Sequence, residues 1–145
     1  VIVMGNTHAV GRKIKVNHPD RVVYSIFSDL RNFVGNLPAD MREKVDLKAD
    51  ADTLLAKVQG FELGLKAEER LPFSLLRFVQ YGATPIAFNF MIHIEAVDEL
   101  SCEMFLEIDA ELGTMMKMMV GGKIKEMVDK LTDELEKGLN GQYIK

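Results

Sequence analysis

The chain has 145 residues, 48% of them hydrophobic and 28% charged, with a formal net charge of −4. That length fits one domain, residues 1–145, which buries roughly two-thirds of its unfolded surface and needs no covalent staples. The acidic balance, with no Lys/Arg cluster interleaved with aromatics, excludes nucleic acid as an expected partner.

The opening stretch VIVMGNTHAV has too short an apolar core for a signal peptide, and residues 1–7 are expected to form a loose extension. Residues 9–17 alternate. Val10, Ile14 and Val16 fall on one face, and Lys13, Lys15 and Asn17 on the other, which is the pattern of a half-buried strand. Arg12 shares the apolar parity and is the exception. In NHPDRVVYSIFSDLRNFVGNLP, Pro19 suits the first turn of a helix, Asn17 or His18 is the candidate cap, and Asp20 complements the helix dipole. Val22, Val23, Ile26, Phe27 and Leu30 follow helical spacing. A second short helix is expected over residues 29–35, ended by Pro38.

Strand patterns follow over residues 43–48, 53–59, 61–69, 74–81, 86–97 and 102–112. Gly60, the Leu71-Pro72 pair and the GATP stretch at 82–85 separate them. Phe61, Leu63, Leu65 and Ala67 share one face. For residues 74–81 two choices stay open: either Leu76, Phe78 and Gln80 point inward, or Leu75, Arg77, Val79 and Tyr81 do. In the last two strands the apolar sets are Phe88, Phe90, Ile92, Ile94, Ala96 and Met104, Leu106, Ile108, Ala110, Leu112. Both sets are even-numbered. Opposed residues share a face, so an antiparallel pair of these strands requires an odd-length loop. The expected partners are Ile94 with Leu106 and His93 with Glu107. A one-residue slip would turn a whole apolar set into water.

A sheet with one apolar face needs one cover. The closing segment supplies it: Val120, Ile124, Met127, Val128, Leu131, Leu135 and Leu139 form one helical stripe. Upstream, Met115, Met116, Met118 and Met119 crowd together ahead of Gly121 and Gly122, each glycine costing about 1 kcal/mol in a helix. Met115 lies about 180° from Ile124 around the axis at ~100° per residue, so one straight helix cannot bury both halves on the same surface. Either the helix bends at the glycines or the methionines face something else, as an adaptable lip or as irregular core filler.

PDRVVYSIFSDLRNFVGNLP, ERLPFSLLRF and MMKMMVGGKIKEMVDKLTDELEK together resemble the START / Bet v 1-like (SRPBCC, helix-grip) superfamily, with the look of small bacterial orphan START-like or polyketide cyclase-like proteins. The likeness covers essentially the whole chain. It implies an α+β helix-grip fold: a curved antiparallel sheet of six to seven strands, two short helices after strand 1, and a long C-terminal helix across the concave face. It also implies a cavity for an apolar molecule between sheet and helix. The expected lining is Leu54, Val58, Leu65, Phe78, Phe88, Phe90, Ile92, Met104, Leu106, Met119, Val120, Ile124 and Met127. Arg12, Arg77 and Gln80 are the polar candidates for orienting a ligand. For Arg12 the competing reading is a side chain that snorkels out at a sheet edge.

Motifs for other chemistry are missing. His8, His18 and His93 form no ligand spacing, no HExxH or CxxC occurs, and no metal is expected. His93 with Glu107 reads as a solvated cross-strand pair. Ser28 and Ser74 have no histidine partner, and the double glycine lacks a phosphate-loop context. Cys102 is the only cysteine, so no internal disulfide forms. It reads as a small buried hydrophobe, and a reducing, cytoplasmic setting fits. No apolar run reaches the ~18 residues of a membrane span, so no integral membrane association is expected. The favoured function is binding, for transport, storage or sensing, of a small hydrophobic molecule or lipid without a cofactor. A polyketide cyclase/aromatase-like enzyme and a co-chaperone-type interaction module are the alternatives. No acid–base pair can be placed, so the reading leans away from an enzyme. Monomer and homodimer both stay open.

Overall fold

One antiparallel sheet organises the chain. The structure is a computed structural model that describes residues 6–35, 46–58, 61–84 and 86–142. Its elements are β1 (Asn6–Val10), β2 (Ile14–Val16), α1 (Asp20–Ser28), α2 (Leu30–Gly35), β3 (Asp46–Ala49), β4 (Thr53–Val58), β5 (Phe61–Leu71), β6 (Leu75–Gln80), β7 (Ala87–Ala96), β8 (Cys102–Glu111) and α3 (Thr114–Lys137). A π-helical turn, Gly138–Gln142, follows α3. The strand order is β1-β8-β7-β6-β5-β4-β3, with β2 also paired to β8. The expected loose start at residues 1–7 overlaps β1 at Asn6 and Thr7, and residues 1–5 lie outside the described residues, as do Pro38 and the first part of the strand expected from residue 43.

The single strand expected over residues 9–17 is two pieces. Val10 stands opposite Glu107, yet Ile14 stands opposite Met104. The first chain advances four residues where β8 advances three, so residues 11–13 hold a β-bulge. The extra residue reverses the side-chain parity. Ala9 takes the buried position and Val10 is 40% exposed, contrary to the alternation read from Val10 to Val16. The carbonyl of Leu106 still accepts the Gly11 amide at 2.8 Å, which keeps the break attached to the sheet.

The last hairpin keeps the required parity with a five-residue loop, 97–101, between Ala96 and its partner Cys102. The pairing is Ile94 with Met104 and His93 with Phe105, two residues from the expected partners. Asp98 sets this register: its carboxylate accepts the Leu100 amide at 2.8 Å and the Ser101 hydroxyl at 2.9 Å. The turn therefore centres on Glu99 rather than Leu100. In β6 the open choice is settled, because Leu76 and Phe78 are buried. Arg77 accordingly lies on the opposite face.

The cap of α1 falls on Pro19, one residue after His18 and two after Asn17, the expected candidates. The Pro19 carbonyl receives the Val22 and Val23 amides, and no side chain caps the end. Asn17 is used elsewhere: its amide donates to Asn140 Oδ1 at 2.8 Å, while Asn140 Nδ2 donates to the Lys15 carbonyl at 2.9 Å. This side-chain amide completes the free edge of β2, which would otherwise be open to pairing with another chain. Helix α3 covers the sheet with Val128, Thr132, Leu131 and Leu135, continued by Leu139 in the turn after it. Met127, expected on the stripe, is 48% exposed. Its place is taken by Thr132, buried on the far side of Val128, because the contact face is rotated toward the bulge.

Candidate ligand cleft

Three consecutive residues at the bulge hold α3. Lys125 Nζ donates to the Val10 carbonyl at 2.8 Å and pairs with Asp129 at 2.9 Å. At Gly11 the backbone comes so close that an added methyl group would sit 2.8 Å from Thr132 Oγ1 and 3.1 Å from Val128 Cγ1. The Thr132 hydroxyl is itself turned back onto the Val128 carbonyl at 2.7 Å, so this buried polar group is satisfied. Arg12 then reaches Asp133 and Glu136 of α3, each at 2.8 Å. These carboxylates hold Arg12 in its charged form, and Arg12 holds Glu136 below the usual carboxylate range. Arg12 thus clamps the helix from outside, where its charge stays hydrated, rather than entering the interior at the cost of burying it.

Arg70 sets the opposite wall. Its guanidinium donates twice to the Ser28 carbonyl, at 3.1 and 2.8 Å, once to the Ala51 carbonyl at 3.2 Å, and pairs with Asp52 at 2.8 Å. The Leu30 amide also reaches the Ala51 carbonyl at 3.2 Å. The junction of α1 and α2 is therefore tied to the β3–β4 turn and the end of β5.

Between the two walls lies a cleft lined by Phe27, Leu30 and Phe33 from the short helices, Leu65, Phe78, Phe90, Ile92 and Leu106 from the sheet, and Leu131 and Leu135 from α3. No lining side chain carries a polar atom. The free space is about 30 Å³, room for about two water molecules. The rings meet at angles: Phe27 and Phe33 at 5.5 Å between centroids, Phe78 and Phe90 at 6.3 Å.

Of the expected lining, Leu65, Phe78, Phe90, Ile92 and Leu106 come together here. Leu54 and Met104 are buried in the adjoining core, and Ile124 packs against it. Met127 points to solvent. The side chains of Val58, Met119 and Val120 lie outside the described residues. Phe88 and Gln80 sit where β6 ends and β7 begins. There Gln80 Oε1 accepts the Phe88 amide at 3.0 Å, and both line a separate, open concavity of about 500 Å³ with Glu68, Asn89, Asp109 and Glu111. That concavity is larger, but Glu68, Asp109 and Glu111 make it polar and charged, which does not suit an apolar ligand. Arg77 is on the outer face, 3.0 Å from Asn89 and 3.4 Å from Glu69. Phe27, Leu30, Phe33, Leu131 and Leu135 were absent from the expected lining, although their helical spacing had marked Phe27, Leu30, Leu131 and Leu135 as inward-facing.

The outer face carries a three-strand polar ladder. One oxygen of Glu107 on β8 meets His93 Nε2 of β7 at 2.8 Å, a diagonal contact, and the other meets His8 Nε2 of β1 at 2.6 Å. The hydrogen bond to Glu107 raises the pKa of His8 above its ordinary value, and the His8 contact lowers that of Glu107. His93 stacks on Phe105 at 4.3 Å with nearly parallel rings. Among the described residues no group of three or more His, Cys, Asp or Glu side chains is placed to hold a metal ion. Cys102 is buried, and burial pushes its thiol up to about 11, which suits an inert core residue.

No known protein family matches the chain by sequence, and no curated protein matches it. Solved structures do match in shape. A START superfamily protein from Mycobacterium smegmatis is 13% identical, with TM-score 0.65 over 94% of this chain and 97% of that one. A protein from Rhizobium loti is 9% identical, with TM-score 0.71 over 92% and 97%. Norcoclaurine synthase from Thalictrum flavum, solved with dopamine and hydroxybenzaldehyde, is 13% identical, with TM-score 0.63 over 91% and 85%. The fold is the START/Bet v 1-like helix-grip fold. Among the described residues no helix is long and apolar enough to cross a membrane.

Proposed function

We propose that this chain, acting as one domain, binds a small apolar molecule or lipid segment in the cleft between the sheet, α1–α2 and α3. The observation that carries this reading is the lining itself: ten side chains from seven elements and no polar atom among them. Burial of apolar surface is then the whole driving force, about 25 cal/mol per Å². Ligand sites usually measure about 300–1,000 Å³, so a ligand of ordinary size must displace the half-buried rim residues Phe33, Leu131 and Leu135. The reading needs no cofactor. Cys102 as the sole cysteine fits a cytoplasmic setting, and the acidic balance gives nucleic acid no foothold.

The polyketide cyclase-like alternative requires polar groups on the substrate, and this cleft offers none among its lining residues. A co-chaperone-type module would use an exposed apolar surface instead. Titration with N-phenyl-1-naphthylamine separates the readings. Binding in the cleft raises the probe's fluorescence, and Leu131→Phe, which fills the rim, weakens it. Absence of any enhancement, together with native mass spectra of host-purified protein free of small adducts, would overturn the proposal.

A further inference from the structure

With about 30 Å³ of free space, the cleft has to widen before it holds a molecule of ordinary size, and its walls are fastened differently. The sheet wall is continuous, since β5, β6, β7 and β8 are hydrogen-bonded neighbours. Helix α3 is pinned by three consecutive residues: Val10, whose carbonyl takes Lys125 Nζ, Gly11, pressed on Thr132 and Val128, and Arg12, paired with Asp133 and Glu136. Past its end Asn140 bonds the Lys15 carbonyl and the Asn17 amide. These ties flank Leu131 and Leu135 on both sides. Helix α2 is fastened at one end. Leu30 is buried, its amide bonds the Ala51 carbonyl at 3.2 Å, and Arg70 holds the Ser28 carbonyl just before it. Further along, Arg31 pairs back with Asp29 at 2.7 Å, and Asn32 Nδ2 reaches the Ser25 carbonyl of α1 at 3.4 Å. Phe33 is half-buried and leans on the Phe27 ring of α1. Asp29 alone separates the two short helices, with extended backbone at φ −116° and ψ 112°. Its carboxylate accepts the Arg31 amide at 2.9 Å and so caps the first turn of α2.

We infer that α2 is the movable wall of the cleft: it turns about its pinned end at Asp29–Leu30 and carries Phe33 outward, while Leu131 and Leu135 stay in place. The inference rests on the reading of the cleft as a ligand site. Hinges are a few element-terminal residues that absorb the change in backbone dihedrals, and Asp29 is placed as one. Turning α2 keeps the bonds of Leu30 and Arg70 and uncovers Phe33 and Val34, both only partly buried. Moving α3 instead breaks two ion pairs and an amine–carbonyl bond and prises open the contact at Gly11. Binding then carries the cost of lifting α2, so the apparent affinity is reduced by the fraction of molecules in which Phe33 is already out.

The chain contains no tryptophan, so a single indole reports on its own position. On titration with 1-decanol, which neither absorbs nor quenches, the emission of Phe33→Trp should move to the red as the ring is carried into water, and that of Leu135→Trp should not. Asp29→Ala removes the cap of α2 without altering a lining residue. It should lower the Kd for N-phenyl-1-naphthylamine roughly fivefold, the usual weight of a cap. Asp29→Asn keeps an acceptor for the Arg31 amide and should fall in between. Arg12→Met, which loosens α3 from outside, should leave that Kd unchanged. Unaltered circular dichroism shows that each variant still folds, and a merely damaged site would raise the Kd rather than lower it. A red shift at Leu135→Trp in place of Phe33→Trp, no red shift at either while 1-decanol displaces the naphthylamine, or tighter binding by Arg12→Met in place of Asp29→Ala would each overturn the inference and leave the cleft as the ligand site. Binding of neither compound would overturn the cleft reading and the inference with it.

Discussion

Gly11 and Gly122 have the same side chain and opposite tasks. At Gly11 a methyl would press on Thr132 and Val128. Gly11→Ala should therefore destabilise by about 1–3 kcal/mol, the usual range for overpacking, read as a lower urea midpoint. At Gly122 a methyl meets open space, so Gly122→Ala should stabilise by up to about 1 kcal/mol through helix propensity. The sequence flags Gly122, because a double glycine in a helix is conspicuous, and says nothing of Gly11, because the contact that needs it lies more than a hundred residues away. The same distance explains Arg12. Its parity hinted at the interior, but the bulge and two carboxylates on α3 send it outward. His8 carries a pH prediction. Its raised pKa contributes stability that is complete below the ordinary value of 6.5 and is lost as pH rises through the folded value. Glu107, lowered from 4.5, contributes above that value and loses it as pH falls. The pair is thus strongest between about 4.5 and 6.5, where Asp109 opposite and His93 beside it add to the local field. His8→Gln should lower the melting temperature most in that window and progressively less as pH rises through the folded value of His8, measured by thermal scans across pH.

Elements reached their places through signals of different quality. The last hairpin was legible in kind, since two even-numbered apolar sets force an odd loop. Its position was not, because the centre of the turn depends on the Asp98 hydrogen bonds rather than on hydrophobic pattern. The short helices were legible as helices, yet their role as a wall of the cleft was not. That role rests on Arg70, one charged residue at the end of a strand pattern with no local mark of importance. Its contacts to two carbonyls and one carboxylate fix the α1–α2 junction. Bonds from charged groups contribute about 1.5–3 kcal/mol each, less where water competes, and Arg70 is partly exposed. Arg70→Met should accordingly lower stability by about 2 kcal/mol. It should also increase hydrogen exchange in residues 20–35 more than in β7 and β8, measured by mass spectrometry. Uniform loss of protection across the sheet would mean that Arg70 does not act through the helix junction.

For the whole molecule the decisive quantity is the free space between sheet and helices. A helix-grip fold can enclose a real chamber or close on its own side chains, and sequence does not distinguish the two, because the same phenylalanines serve as lining or filler. Here about 30 Å³ remains, and four aromatic rings occupy much of the interior. Removing one ring tests whether the walls hold the space or collapse into it. Phe90 is half-buried, lines the cleft and leans on Phe78. Phe90→Ala should cost up to about 3–5 kcal/mol, with the smaller values if the walls relax inward. If α3 and the α1–α2 junction keep their positions through the Gly11 and Arg70 contacts, the mutant holds a dry apolar cavity. Benzene should then raise its melting temperature in a concentration-dependent way while leaving the parent protein little changed. Phe105→Ala on the outer face removes the same ring without making a chamber and should show no such rescue. A Phe90→Ala protein indifferent to benzene would mean that the walls close in, and that the cleft is packing rather than a binding site.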